Sequence, residues 1–123
     1  MTKPAPSINK LPMPQMSSDK VVTLTDSLGR TLKIKALDVV YESRLARMLG
    51  AEATNNPTYM MGFVLPAASV FEIDGVALEK PTTVQELEES IARLGREGIA
   101  AFMQHVQSEF AQVQQAMEAA KPN

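Results

Sequence analysis

A chain of 123 residues, 45% of them hydrophobic, supports one domain with one modest core. It has no Cys, no Trp, eight Met and only 5% aromatics, which excludes disulfides and thiolate metal sites and leaves Leu, Val, Met and Ala to do the packing. The net charge of −2 divides into +3 over residues 1–60 and −5 over residues 61–123; this is too little basic charge to hold nucleic acid, and the polarity either orients a head-to-tail assembly or is a solvated surface.

Residues 1–19 carry Pro4, Pro6, Pro12 and Pro14 among Ser, Lys and Gln. Pro removes backbone donors, and the few apolar residues have no period, so a disordered N-terminal arm is expected. Leu11, Met13 and Met16 make either a short docking motif or part of a plain tail. No apolar stretch follows the first Lys, so no signal peptide is expected there.

Val21–Thr25 and Arg30–Lys35 alternate apolar and polar residues around Asp26-Ser-Leu-Gly29. This predicts a β-hairpin whose apolar face, Val22, Leu24, Leu32 and Ile34, needs a cover, most simply a helix. Asp38 and Gly50 bracket a helix over Val39–Leu49, with Tyr41, Leu45 and Met48 at helical spacing and Val40 and Leu49 broadening the stripe. Arg44 and Arg47 fall on its other faces. They suit an anion, and they equally suit an ordinary solvated surface.

Ala51–Asn55 reads as a loop. Asn56-Pro57 then opens a second helix, since Pro fits the first turn. Thr58–Ser69 is apolar nearly all round and is the expected buried central helix. Pro66 lacks the N–H that would bond the Gly62 carbonyl, which predicts a kink or a tightened last turn. Asp74-Gly75 between Val70–Ile73 and Val76–Leu78 is a type I′ hairpin signal. This small ribbon either extends the first sheet or stands as a flap.

Pro81 stops the ribbon, and Thr83-Val-Gln-Glu86 forms a capping box. Val84, Leu87, Ile91 and Leu94 make the next apolar stripe, and Gly95 ends it. Arg96-Glu97 is a joint, and Gly98 allows a bend into the last helix. So short a joint predicts an angled or nearly continuous connection rather than a tight antiparallel pair.

That last helix, Gly98–Ala120, carries Ile99, Met103, Val106, Phe110, Val113 and Met117 at alternating gaps of four and three. This is an a/d seam, and at 1.5 Å per residue the helix runs roughly 34 Å. The seam needs a partner, either the rest of the chain or another copy. These six residues are the candidate partner-binding site. The expected organisation is therefore an arm over 1–19, one domain over 20–120 and a tail over 121–123. The expected fold is α+β and mostly helical: an N-terminal antiparallel hairpin, a central apolar helix, a small second hairpin and a C-terminal helix pair with a long last helix.

Catalytic chemistry finds little purchase. The single histidine, His105, falls off the seam with Glu109 four residues on, a surface pair. Without a second His or a Cys, zinc sites of the usual type are excluded, and no nucleophile turn accompanies His105. The paired carboxylates Glu88-Glu89 and Glu72 with Asp74 are placed on a helix surface and around a tight turn, whereas acid–base work needs burial or a charged partner. Asp74-Gly75 lacks the oxygen ligands of a calcium loop, and the glycines lack phosphate-loop spacing. No catalytic, cofactor-binding or metal residue is assigned, and a non-enzyme is expected. The most apolar run, Met60–Phe71, is too short for a membrane and broken by Pro66.

Taken in order, Val22-Thr-Leu-Thr-Asp26 with Gly29-Arg-Thr-Leu-Lys-Ile34, the helix Tyr41–Gly50, the apolar helix after Asn56-Pro57, Ile73-Asp-Gly75, and Pro81-Thr with the helix to Leu94-Gly95 and Gly98 resemble a bacteriophage tail assembly chaperone in its short form. The resemblance covers roughly residues 21–110. It implies a non-enzymatic protein of the host cytoplasm, without cofactor, that oligomerises and coats the tape measure protein. A longer, frameshifted form of such proteins recruits tail tube subunits, and the chaperone leaves before the virion is finished. The alternative is a structural virion component, such as a tail-completion or connector protein, distinguished by its presence in the finished particle. A third reading, a small enzyme using Glu88, Glu89 or His105, is distinguished by Ala substitutions at those positions.

Overall fold

The computed structural model describes residues 20–120; the expected arm over 1–19 and tail over 121–123 lie outside the described residues. The first hairpin forms as its alternation predicts. Strands β1 (Val22–Thr25) and β2 (Thr31–Ile34) pair antiparallel, with Val22 opposite Ile34 and Leu24 opposite Leu32. The Asp74-Gly75 hairpin joins β3 (Val70–Ile73) to β4 (Val76–Ala77). Both turn residues have positive φ, 50° and 83°, as a type I′ turn requires. Of the two possibilities for this ribbon, the sheet is extended: β3 pairs with β2, giving one antiparallel sheet of order β1-β2-β3-β4. The Asp74 carboxylate accepts from the Thr31 N–H at 2.8 Å, and the Asp74 N–H donates to the Thr31 carbonyl at 2.8 Å. The two turns are thus locked to one register.

The helical connection from β2 to β3 starts with α1 (Val39–Leu49), which buries Tyr41 and Leu45. Two details differ from the sequence reading. Asp38 occupies the N-cap without a side-chain capping bond, and Val40 lies in solvent at 52% exposure rather than on the stripe. The expected loop Ala51–Asn55 contains a single helical turn, α2 (Ala51–Thr54). It is held by the Thr54 hydroxyl, which donates to the Gly50 carbonyl at 2.9 Å. Asn56 caps α3 (Pro57–Tyr59) by accepting from the Tyr59 N–H at 3.1 Å.

Pro66 acts in the opposite sense to the expected tightening. Met60–Val64 is a π-helical turn, with the Leu65 N–H reaching back five residues to the Met60 carbonyl, before α4 (Leu65–Ser69) resumes. A widened turn makes room for a pyrrolidine ring that a helix of ordinary pitch would exclude. The segment is also less buried than its composition suggests. Val64 and the run Pro66–Ser69 are buried, but Met61 and Phe63 are 47% and 43% exposed.

After Pro81 comes α5 (Val84–Ala119), broken at Gly95, whose φ of 70° and ψ of 178° leave helical space. The Thr83 hydroxyl caps it by accepting from the Glu86 N–H at 3.1 Å. Glu86 reaches back one residue further than a capping box prescribes, accepting from the N–H and the hydroxyl of Thr82. Two apolar clusters result. Tyr41, Leu45, Val64, Ala67, Ala68 and Leu87 join α1, the π-turn, α4 and the first limb of α5. Leu32, Ile34, Val70, Leu94 and Phe102 join the sheet to both sides of the break. The second limb of α5 is therefore the cover that the first hairpin required.

Candidate functional site

The site begins with the break in α5. The last carbonyls of a helix have no partner within it. Here Arg30, from the first hairpin, supplies the donors: Nη1 to the Arg93 carbonyl at 2.9 Å and Nη2 to the Leu94 carbonyl at 2.6 Å. Its Nε donates to Asp26 Oδ2 at 2.8 Å, while Asp26 Oδ1 accepts from the N–H groups of Leu28 and Arg30. Burial pushes the Asp26 carboxyl upward, but the backbone and side-chain hydrogen bonds from Arg30, its charge, and the Leu28 N–H outweigh that and hold it below the usual value. Gly98 lies inside the second limb rather than at a bend. A Cβ there would sit 2.7 Å from Leu94 Cγ and 3.4 Å from Arg30 Nη2. Gly95 supplies the turn and Gly98 the close approach.

This joint lays the first half of the seam on the sheet. Ile99, Met103 and Val106 are half-buried against the Leu32 cluster, beside Phe102, which is 5% exposed. The second half behaves differently. Phe110, Val113 and Met117 are 63%, 43% and 64% exposed, and residues 110–120 are exposed throughout. So the two possible partners of the seam divide it: its own fold takes the first three residues, and the last three are left on a limb standing clear of the sheet. They recur at i, i+3 and i+7, one side of the helix, and expose on the order of 300 Å² of apolar surface, the size of patch that marks an interaction site. The limb is poor in charge. Between Gln104 and Met117 the chain has no Lys, Arg or Asp, and its one His and one Glu, His105 and Glu109, pair with each other. The rest of its polar surface is mainly Gln and Ser.

The other candidate residues stay apart. His105 borders a shallow depression of about 240 Å³ with Leu24, Thr25, Ala101, Gln104 and Ser108. Glu72 pairs with Lys33 across the strands at 3.3 Å, and Asp74 is engaged by Thr31. Glu88 and Glu89 are exposed on the first limb of α5. Among the described residues no group of three His, Asp or Glu is arranged to hold a metal ion. An open groove of about 520 Å³ lies between the β4 side of the sheet and the first limb of α5, bordered by Val76, Ala77, Glu79, Glu89 and Arg93. No described helix is long and apolar enough to cross a membrane. No protein-family model matches the chain, and no curated protein or solved structure is significantly similar to it.

Sequence reasoning missed Arg30 and Phe102. Phe102 follows Ile99 by three residues, so a wider stripe at helical period would have included it. Nothing local in the sequence points Arg30 at a helix end more than sixty residues away.

Proposed function

We propose that this protein is a phage tail assembly chaperone acting in the host cytoplasm, where many copies coat the tape measure protein before the tail tube polymerises around it. The observation that carries the reading is the uncovered stripe Phe110, Val113 and Met117 on the projecting limb of α5. A helix with one bare apolar side lies along another helix or in a groove. A long helical tape measure protein offers that surface repeatedly. The thioether of Met117 and the Gln-rich flanks tolerate varied partner sequence.

The magnitudes suit a removable coat. Covering about 300 Å² at 25 cal/mol per Å² gives roughly 7 kcal/mol gross. Association costs of about 4–15 kcal/mol cancel most of that for one copy. A single contact is therefore weak, while a row of copies on one strand gains by effective concentration. Such a coat holds as an array and leaves copy by copy when the tube advances. In this reading the protein has no enzymatic activity and no cofactor, and a longer form of the same chain would recruit tail tube subunits.

The test is co-expression with the tape measure protein of the same phage, followed by mass spectrometry of finished particles. The reading expects co-purification with wild type, none with Phe110→Asp, and no chain in the virion. Stoichiometric presence in finished particles would replace it with a structural role.

A further inference from the structure

We propose that the open groove between β4 and the first limb of α5 is a strand-docking site, and that its occupant is Ser7–Leu11 of the same chain. The proposal depends neither on the tape measure protein nor on the stripe. β4 is the last strand of the sheet, so one of its edges has no neighbouring strand. Val76 lies opposite Ile73, and the Leu78 N–H donates to the Phe71 carbonyl at 2.8 Å. In an antiparallel ladder this turns Val76 and Leu78 toward β3 and points the N–H and carbonyl of the intervening Ala77 outward. Ala77 is exposed. The opposite wall is α5, which brings Glu89, Ser90 and Arg93 to the groove. A free strand edge facing a helix across about 520 Å³ suits an extended peptide that joins the sheet. Backbone bonds hold such a peptide, and alternate side chains read the groove. An edge left open is also a liability that folded proteins cover.

Chain position selects the occupant. Residues 1–19 join the described chain at Lys20. β1 begins at Val22, opposite Ile34, which lies opposite Val70. This is the end of the sheet where Leu78 meets Phe71. A strand added beyond β4 lies four strand spacings from β1, about 19 Å. Pro lacks the N–H that a ladder uses, so Pro4, Pro6, Pro12 and Pro14 leave two runs of five within residues 1–19, Ser7–Leu11 and Gln15–Asp19. Asp19 is three residues from Val22, about 10 Å of extended chain, which is too short. Leu11 is eleven residues away, about 36 Å, enough to round the end of the sheet.

Charge agrees with position. In an extended Ser7–Leu11, Ile8 and Lys10 share one side. Turned to the groove, Ile8 meets Val76 and Leu78, and Lys10 meets the Glu89 carboxylate. Among the described residues Glu89 makes no ion pair. Of the other charges there, Glu86 accepts from Thr82, and the Lys80 ammonium lies over the Tyr41 ring at 5.0 Å. This leaves Glu79 and Glu89 against Arg93, a lining that favours a basic strand.

The chain has no Cys, so Ser7→Cys places a single nitroxide on the full chain, read by NMR with the label oxidised and then reduced. The oxidised label is expected to erase the amide signals of Ala77, Glu79 and Glu89 and to spare those around Val113. Ala77→Pro removes an N–H that makes no bond in the sheet, so the fold should persist, seen as unchanged signals elsewhere, while the loss disappears. Lys10→Glu, which alters no residue of the described fold, is expected to weaken the same loss. Amide exchange at Ala77 should be at least about tenfold slower in wild type than in Lys10→Glu. A mixture of isotope-labelled chains without nitroxide and unlabelled chains with it should show no loss. Signals near Ala77 that survive the oxidised label, a loss that persists in both variants, a loss in the mixture, or a loss centred on Val113 overturns the proposal. None of these outcomes bears on capture of the tape measure protein through Phe110.

Discussion

Replacing Arg30 with Met keeps the side-chain volume and removes the guanidinium that ties the first hairpin to the break in α5. Three hydrogen bonds go with it. The bond to the Arg93 carbonyl is at the surface, where water replaces it, so its loss is small. The bond to the Leu94 carbonyl is partly buried. The Asp26 carboxylate is fully buried, against 21% exposure for the Arg30 side chain. Breaking a buried pair by removing one partner costs about 3–5 kcal/mol. Asp26 keeps the backbone N–H groups of Leu28 and Arg30, which lowers the expected cost to about 2–4 kcal/mol. With a urea slope of about 2 kcal/mol per molar, the unfolding midpoint should fall by about 1–2 M at pH 7. Arg30→Lys keeps a charge near Asp26 without the fork, and its midpoint should lie between the two. The difference between wild type and Arg30→Met should also depend on pH. The Asp26 carboxyl lies lower in the folded chain than its ordinary value. Its contribution is therefore complete above the unfolded value near pH 4 and lost as pH falls through the lower folded value. The gap between the two unfolding curves should narrow as pH falls below about 4, leaving only the part due to the bonds with the Arg93 and Leu94 carbonyls. A midpoint shift under about 0.3 M with an unchanged slope would refute the claim that Arg30 holds the joint.

The remaining predictions concern single positions. Gly98→Ala would raise stability by about 1 kcal/mol in an open helix, but here the methyl group meets Leu94, so a thermal melt should show a loss of about 1–3 kcal/mol. Thr83→Ala removes the cap of α5 and should cost about 1 kcal/mol in urea unfolding, with Thr83→Ser close to wild type. Phe110→Asp should leave stability within about 0.5 kcal/mol, because the side chain touches little, while abolishing capture by an immobilised tape measure helix. A large loss of stability in that variant would mean that Phe110 packs within its own fold.

Much of this fold is written locally. The period of two in Val22–Thr25 and Thr31–Ile34, the Asp74-Gly75 turn, the Asn56 and Thr83 caps and the stripe of α1 each follow from residues a few positions apart. What stayed hidden depends on distant partners or on small geometric choices. Pro66 forbids an ordinary helical turn, but sequence does not say whether the backbone tightens or widens; the chain widens at Met60–Val64. Gly95 and Gly98 both read as breakers, and their separate roles appear only when Leu94 and Arg30 are seen against Gly98. The seam was legible as six residues at one spacing. Its division after Val106 was not, because the sheet that covers the first half ends where its short strands end.

Hydrogen exchange along α5, measured with and without the tape measure protein, tests the functional claim most directly. Free in solution, the amides from about 107 to 119 should exchange quickly, since an isolated limb of this length is marginal as a helix. Those around Phe102 should exchange slowly. The account predicts that the tape measure protein slows exchange across the limb carrying Phe110, Val113 and Met117, and that Phe110→Asp removes the effect. Protection confined to another part of the chain, or no change on the limb at saturating partner, would contradict it.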